Sequence, residues 1–265
     1  MFILSNSCKK AFHFATSSYA VAGTIIGISG NNIPGDWRFK LAMAIIIYFV
    51  LTLIAWFVIH SKKSVEYKIK GNKIFIKCGD IFSAKGLKVI PFNEHFDTEV
   101  DDVIISKNTL NGKFILNYVK NIEEFNSFIQ NENEATDLKR KILKDKSVYP
   151  LGRIIKYNDF LLLAFTHFDK NNIAHISKIE YEKCLLNMWK ELRRTYAGEK
   201  IFLPLIGSGI TKFDDVPEKS NLDLLKCVLC TLKASGEQFT ETITILVTNE
   251  IWEDLNLFDN SESVK

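Results

Sequence analysis

The chain has 265 residues, of which 47% are hydrophobic and 25% charged, and its formal net charge is +3. A charge this small and scattered argues against a nucleic-acid-binding protein, because such proteins usually carry a concentrated basic face. The five cysteines give no disulfide framework, and their odd number suits a reducing compartment. These averages hide a division, since charged residues are scarce in residues 11–60 and frequent from Ser61 onward.

The most apolar part of the chain is residues 41–59. As a helix, a run of this length spans roughly 28 Å, close to the hydrocarbon thickness of a bilayer. Trp37 and Trp56 lie near its two ends, where their rings favour the membrane interface. We therefore predict a transmembrane helix over about residues 39–60.

A second span is predicted over about residues 11–29, which hold no permanently charged side chain. Gly23 and Gly27 form a GxxxG pattern, which either allows helix association in lipid or occurs by chance. The alternative, a cleaved signal peptide, is disfavoured by the serines and threonines in the core of the segment. Lysines flank both ends of the pair, which predicts a hairpin within residues 1–62 whose termini both lie inside the cell.

Residues 63–265 alternate between strand and helix patterns, which predicts an α/β sandwich with a mixed sheet. A β-hairpin is predicted about Gly71 and Asn72. Strands are predicted over residues 65–70, 73–77, 87–92, 160–165, 200–206 and 242–248, and helices within residues 122–144, 179–196 and 222–234. Cys227 and Cys230 have CxxC spacing in the last helix, but without a second pair or nearby His ligands we predict two buried thiols and no metal site.

A glycine-rich turn follows the predicted strand 200–206. It consists of Gly207, Ser208 and Gly209, followed by Ile210 and Thr211. Glycines in such a place let the backbone approach a ligand closely and point its N–H groups at an anion. The turn alone is weak support for a site, because many tight turns have the same composition.

Two more strand ends carry polar residues. Asp80 stands between Gly79 and Ile81 after the hairpin, and Asn93 ends the strand 87–92. A carboxylate can accept a hydrogen bond from the amino group of a base, which would select adenine. Asp80 could instead form a turn, and Asn93 could cap its strand, so both interpretations of each residue stay open.

In their order and spacing, these three elements resemble the macro domain family over about residues 65–258. The resemblance implies that Asp80, with Ile81, binds adenine and that Asn93 faces the distal ribose of an ADP-ribose-type nucleotide. It also implies that the turn from Gly207 to Thr211 wraps the pyrophosphate.

After Asn93 the chain departs from the usual glycine run of that family. A longer segment leads to a predicted ligand-binding loop, whose residues are Asn108, Thr109, Leu110, Asn111, Gly112, Lys113 and Phe114. This version, preceded by two predicted spans, resembles the membrane-bound Thoeris anti-phage effectors (ThsA-like) with two transmembrane helices and a macro domain. The macro domain would lie in the cytoplasm, anchored in the bacterial inner membrane.

Macro-domain hydrolases usually position a water molecule with the Asn and the glycine run, and this run is replaced here, so we predict a sensor without catalysis and without a cofactor. The Thoeris resemblance implies what the sensor does. Its macro domain would bind an ADP-ribose-derived signal, such as histidine–ADP-ribose, that a TIR-domain enzyme makes. The protein would then form a homo-oligomer and disrupt the membrane lipid, causing cell death or growth arrest. The alternatives are a membrane-anchored ADP-ribosyl hydrolase, for which His95, Asp97 and His167 are candidate acid–base groups, and a tether that binds ADP-ribose.

Overall fold

The computed structural model describes residues 23, 36–61, 64–102, 104–134, 141–143, 146–169, 172–215, 218–255 and 257. The chain forms two compact units, Met1–Val65 with Asn256–Lys265, and Glu66–Leu255. In the first unit, helix α1 runs over Trp37–Ser61, close to the second predicted span. Within the described ranges, no helix has both the length and the apolar character that crossing a membrane requires. The span predicted over residues 11–29 lies outside the described residues apart from Gly23.

The second unit alternates strands and helices as the sequence predicts. Its strands are β1 (Ser64–Ile69, beginning in the first unit), β2 (Asn72–Cys78), β3 (Leu87–Asn93), β4 (Lys141–Leu143), β5 (Lys146–Val148), β6 (Ile154–Tyr157), β7 (Phe160–Phe168), β8 (Ala174–Ile176), β9 (Ile201–Pro204), β10 (Lys212–Phe213) and β11 (Ile243–Val247). Its helices are a 3-10 turn (Ile81–Ser83), α2 (Leu110–Tyr118), α3 (Ile122–Glu134), α4 (Lys178–Thr195), α5 (Asn221–Ser235) and α6 (Asn249–Leu255).

Among the described residues, nine strands form one mixed sheet in the order β1-β2-β11-β9-β3-β7-β8-β10, with β6 paired to β7. The five strands β2, β11, β9, β3 and β7 are parallel to their neighbours in this order. Parallel neighbours point the same way, so all five carboxyl ends lie at one edge of the sheet. The mixed α/β sheet predicted from the sequence is confirmed.

One face of the sheet packs against helices α2 and α3. Alternate residues of the central strands point to this face, among them Ile90 of β3 and Leu162 of β7, both fully buried. They join a cluster with Phe114 of α2 and Phe125 of α3, whose ring centroids are 5.8 Å apart. This cluster fixes the start of α2 beside the carboxyl edge of the sheet.

The opposite face carries α4 and α5. The indole Nε1 of Trp189 donates a hydrogen bond to Thr231 Oγ1 at 3.1 Å, which joins the two helices in the core. The Tyr181 hydroxyl donates to the carbonyl oxygen of Ile206 at 2.8 Å. Helix α4 is thereby bonded to the segment that directly follows β9, where the glycine-rich turn begins.

The hairpin turn lies one residue earlier than the sequence suggested. Lys70 and Gly71, with φ of 45° and 88°, occupy the turn, whereas Asn72 belongs to β2 and is buried. The Asn72 side chain donates to the carbonyl oxygen of Glu237 and accepts from the N–H of Phe239. These bonds to a distant segment hold Asn72 inside the domain, and the prediction about Gly71 and Asn72 is wrong by this one position.

Two further predictions are wrong in part. The helix predicted within residues 122–144 is present over Ile122–Glu134, whereas residues 141–143 pair as a strand with residues 146–148. The thiols of the CxxC pair are also not both buried, since Cys227 is half-buried and Cys230 is exposed. Helix α5 turns Val228 and Leu229 into the core, which leaves Cys230 at its outer side. No group of three metal-ligating side chains occurs among the residues that the structure describes.

Candidate functional site

A cavity of about 850 Å³ opens at the carboxyl edge of the five parallel strands. It is lined by residues that follow β2, β3, β9 and β11 and by the end of β7, as expected for a ligand site in a sheet of this kind. Its volume lies within the range of small-molecule sites. The sequence-predicted site residues that line it are Asp80, Ile81, Asn93, Asn108, Thr109, Leu110, Asn111, Lys113, Gly207, Ser208, Gly209, Ile210 and Thr211.

Asp80 lies at the start of the 3-10 turn and faces the cavity. Its Oδ1 accepts a hydrogen bond from the N–H of Phe82 at 3.1 Å, so the residue does cap a turn. Among the described residues Oδ2 has no hydrogen-bonding partner. Because a carboxylate has two acceptor oxygens, Asp80 can cap the turn and still accept a hydrogen bond from a ligand.

Asn93 is buried at the end of β3, and its amide holds the following turn together. Its Oδ1 accepts from the N–H groups of His95 and Asp97, both at 3.1 Å. Its Nδ2 donates to Asp97 Oδ2 at 2.8 Å. The strand-end cap considered from the sequence is therefore present, and the side chain also lines the cavity.

The glycine-rich turn is built from main-chain contacts. The carbonyl oxygen of Leu205 accepts from the N–H of Ser208 at 3.1 Å and from its hydroxyl at 2.7 Å. Gly207 has φ of +88°, a backbone conformation that favours glycine, while a Cβ on Gly209 would meet nothing within 4 Å. Among the described residues, the N–H groups of Gly209 and Ile210 form no hydrogen bond. These two donors are available to a ligand in the cavity.

The predicted ligand loop over residues 108–114 is mostly the start of helix α2. The Thr109 hydroxyl caps this helix by accepting from the N–H of Gly112 at 3.2 Å. A Cβ on Gly112 would lie 2.3 Å from the carbonyl oxygen of Ser106, so the glycine is needed for packing. Phe114 is fully buried in the aromatic cluster, and neither Gly112 nor Phe114 lines the cavity. The amino end of α2 and Lys113 provide positive charge on this side of the cavity.

Several cavity residues were not predicted from the sequence. Cys78, Thr248 and Asn249 line the wall formed by β2 and β11, where the Cys78 thiol donates to Asn249 Oδ1 at 2.9 Å. The end of the last buried strand at Thr248 was a usable signal, because it belongs to the same parallel set. Lys219 lies behind the glycine-rich turn, and burial lowers the pKa of its ammonium group. No sequence signal identified this lysine, which follows Thr211 by eight residues in the chain.

The candidate acid–base groups lie outside the cavity lining. His167 sits between two carboxylates, with Nδ1 2.8 Å from Glu94 Oε2 and Nε2 3.4 Å from Glu180 Oε1. The hydrogen bond to Glu94 raises the pKa of His167, and hydrogen bonds from Ser177 lower the pKa of Glu180. These groups bond the end of β7 to the start of α4.

Together, the mixed sheet, the helices on both faces and the glycine turn at the carboxyl edge define a macro domain. The family model described as "Thoeris protein ThsA, Macro domain" matches residues 74–248. The chain is also 34% identical over 243 residues to Thoeris protein ThsA of Bacillus amyloliquefaciens (strain Y2), an alignment that covers 87% of this chain and 82% of that protein. The chain therefore belongs to the Thoeris ThsA family, as the resemblance predicted. The membrane-bound, two-helix part of that resemblance is not supported, because no helix among the described residues meets the requirements of a span.

One of two similar solved structures supports the fold. A point mutant of the Oceanobacillus iheyensis macrodomain aligns with a TM-score of 0.51, covering 76% of this chain and 98% of that chain at 11% sequence identity. Another point mutant of the same macrodomain, with ADPR, aligns with a TM-score of 0.49, covering 76% of this chain and all of that one at 11% identity. At 11% sequence identity, the alignment with a TM-score of 0.51 shows a shared fold and nothing about function.

The ion pairs of His167 predict a pH-dependent stability. Since its folded pKa is raised above the unfolded value of about 6.5, the stabilisation is complete below that pH and is lost as the pH rises through the folded pKa. His167→Gln should therefore lower the free energy of unfolding most between about pH 5 and 6.5, by no more than about 1 kcal/mol because the group is partly exposed. Chemical unfolding of both proteins from pH 5 to 9 measures this, and a difference independent of pH would contradict it.

Proposed function

We propose that this protein is a nucleotide-signal sensor of anti-phage defence, whose macro domain binds an ADP-ribose derivative without turning it over. The observation that carries the proposal is that the free N–H groups of Gly209 and Ile210 and the free carboxylate oxygen of Asp80 share one cavity. Main-chain donors suit a diphosphate and a carboxylate oxygen suits the amino group of adenine. ADP-ribose contains both groups in one molecule.

The placement of the diphosphate follows from the edge of the sheet. The turn from Gly207 to Thr211 begins three residues after the end of β9, which lies between β11 and β3 at the middle of the parallel set. The amino end of α2, with Lys113, faces the same cavity and adds positive charge for an anion. The distal ribose and the terminal group would then lie toward Asn93 and Ser106.

A binding role is favoured over hydrolysis by the surroundings of the distal ribose. Asn93 commits its Oδ1 to two backbone N–H groups and its Nδ2 to Asp97, which reduces its capacity to orient a water molecule. Neither His95, Asp97 nor His167 lines the cavity. The hydrolase and the simple tether remain as the outcomes against which the sensor is tested.

The test is calorimetry of the purified full chain with ADP-ribose and its derivatives, including histidine–ADP-ribose, and chromatography of each ligand after incubation. A sensor binds the ligand, releases it unchanged and forms larger assemblies in its presence. Conversion of the ligand would establish a hydrolase instead. Binding without any change in assembly would establish a tether.

A charge placed in the turn should abolish binding. Gly209→Asp adds a carboxylate where a Cβ meets nothing within 4 Å, so the fold should be retained. Repulsion between this carboxylate and the diphosphate should weaken ADP-ribose binding by about 100-fold or more. Gly209→Asn, of nearly the same shape but neutral, is the matched control and should lose much less affinity. Equal affinities of the Asp and Asn variants would show that no phosphate lies at this turn.

The base preference should change when Asp80 becomes asparagine. In the Asp80→Asn variant the side chain has only one oxygen, which is needed to accept the hydrogen bond from the N–H of Phe82. The NH₂ group of the new side chain would therefore face the base. Affinity for ADP-ribose should fall by about 10-fold or more, because two donors then oppose each other. The hypoxanthine analogue, which has an oxygen in place of the amino group, should bind the variant better than it binds the parent. If the ratio of the affinities for ADP-ribose and for its hypoxanthine analogue is the same in the parent and in the variant, adenine does not contact Asp80.

The response to the signal is proposed to take place at a membrane. This part rests on the apolar sequence of residues 41–59 and on family membership, since no described helix meets the requirements of a span. Helix α1 exposes large apolar side chains, and a contiguous apolar surface of this kind is typical of an interaction site for a membrane or another protein. These side chains are Met43, Ile45, Ile46, Phe49, Val50, Leu53 and Ile54. Ligand binding would favour a self-associating state of the macro domain, and the assembled copies would disrupt the bilayer. The signal would come from a TIR-domain enzyme.

Release of a dye from liposomes measures this response. The full chain reconstituted in liposomes should release dye when an ADP-ribose derivative that binds it is added, because assembly then concentrates the apolar helices in the bilayer. The Gly209→Asp variant, reconstituted at the same density, should stay silent. Release that is equal with and without ligand, or equal in the variant, would contradict ligand-gated disruption.

A further inference from the structure

Lys219 holds the glycine-rich turn from the side opposite the cavity. Its Nζ donates hydrogen bonds to the main-chain carbonyl oxygens of Gly207 and Thr211, both at 2.8 Å, and to that of Gly209. The side chain is partly buried and does not line the cavity, whereas the turn itself does. The three acceptors belong to alternate residues, so one ammonium group fixes the whole length of the turn.

This contact determines which way the N–H group of Ile210 points, one of the two donors assigned to the ligand. In a trans peptide the C=O and the following N–H point in opposite directions. With the carbonyl of Gly209 directed at Lys219, the N–H of Ile210 is directed away from it, toward the side on which Ile210 lines the cavity. The N–H of Ser208 is oriented in the same way by Gly207 and closes the turn on Leu205.

Without Lys219, the turn could adopt a second conformation in which the peptide between Gly209 and Ile210 is flipped. Rotation of the peptide between Gly209 and Ile210 needs a change in the ψ of Gly209, which a glycine allows at little steric cost, together with a change in the φ of Ile210. If the peptide between Gly209 and Ile210 flips, a carbonyl oxygen replaces the N–H donor in the cavity and repels a phosphate. The positive charge of Lys219 disfavours this flip, because it would remove an acceptor from the ammonium group.

We propose that Lys219 is a positioning residue that keeps the glycine-rich turn in its phosphate-binding state by anchoring the carbonyl groups of Gly207, Gly209 and Thr211. It does not touch the ligand. This inference rests on the proposed function, since it assigns the diphosphate to the same turn. It deepens that function, because a lysine outside the cavity then determines whether the turn presents an N–H donor or a carbonyl oxygen to the ligand.

The test compares two probes on the full chain. Lys219→Met keeps the length and apolar stem of the side chain and removes its donors and charge. Its affinity for ADP-ribose should fall by about 10- to 100-fold, the effect expected for charge-assisted hydrogen bonds, while its affinity for adenosine, which has no phosphate, should stay that of the parent. Hydrogen exchange at the amides of residues 207–212 should become faster in this variant.

Two further variants separate positioning from general stability. Lys233→Met changes an exposed lysine in the last turn of α5 and should leave both affinities unchanged. Lys219→Arg, which keeps the charge and N–H donors, should restore most of the ADP-ribose affinity. If Lys219→Met does not fold, Lys219→Gln takes its place with the same expected loss, because it also lacks the charge.

The outcomes are distinguishable. Unchanged ADP-ribose affinity in Lys219→Met, an equal loss for both probes, or an arginine variant as weak as the methionine variant would each overturn the role of Lys219 and leave the proposed function standing. If the parent chain binds neither probe, the proposed function itself fails, and this inference fails with it.

Discussion

The site depends on the common direction of five neighbouring strands. Because β2, β11, β9, β3 and β7 are parallel, the segments that leave them converge at one edge, although they are far apart in the chain. Asp80, Asn93 and the glycine-rich turn meet there without any long-range contact between their side chains. An antiparallel strand in the middle of this set would have placed one of these segments at the opposite edge of the sheet.

The cavity uses main-chain groups where many anion sites use arginine. Its glycine-rich turn presents N–H donors, and the compensating positive charge of Lys219 lies behind that turn. Main-chain donors lose little conformational entropy on binding, since the strands and helices around them already fix the backbone. In the proposed function, selectivity would rest on the shape of the ligand and on the carboxylate of Asp80.

The central strands of the sheet, the helices α3, α4 and α5 and thirteen residues of the cavity lining could be predicted from the sequence, because buried strands, amphipathic helices and glycine turns leave local patterns. The errors concern residues whose roles depend on distant partners. Gly112 and Phe114 were assigned to the ligand, yet the first allows close packing on Ser106 and the second fills the aromatic core. Asn72 was placed in a turn because its bonds to a segment more than 160 residues away are invisible in the sequence. Lys219 was missed for another reason: its partners lie only 8 to 12 residues earlier, but no local pattern shows that its side chain folds back onto the carbonyl groups of the turn.

The position of β11 has a consequence for how the domain forms. This strand is the last of the sheet in the chain, yet it lies between β2 and β9 and pairs with both, with Ile243 opposite Ile74 and Ile201. A growing chain that has not yet reached Ile243 therefore leaves a gap in the middle of the sheet. Contacts between such distant residues close slowly, because loop entropy is lost before pairing compensates for it. Synthesis must therefore be nearly complete before the cavity exists, because an unfinished chain lacks the part of its wall that β11 contributes.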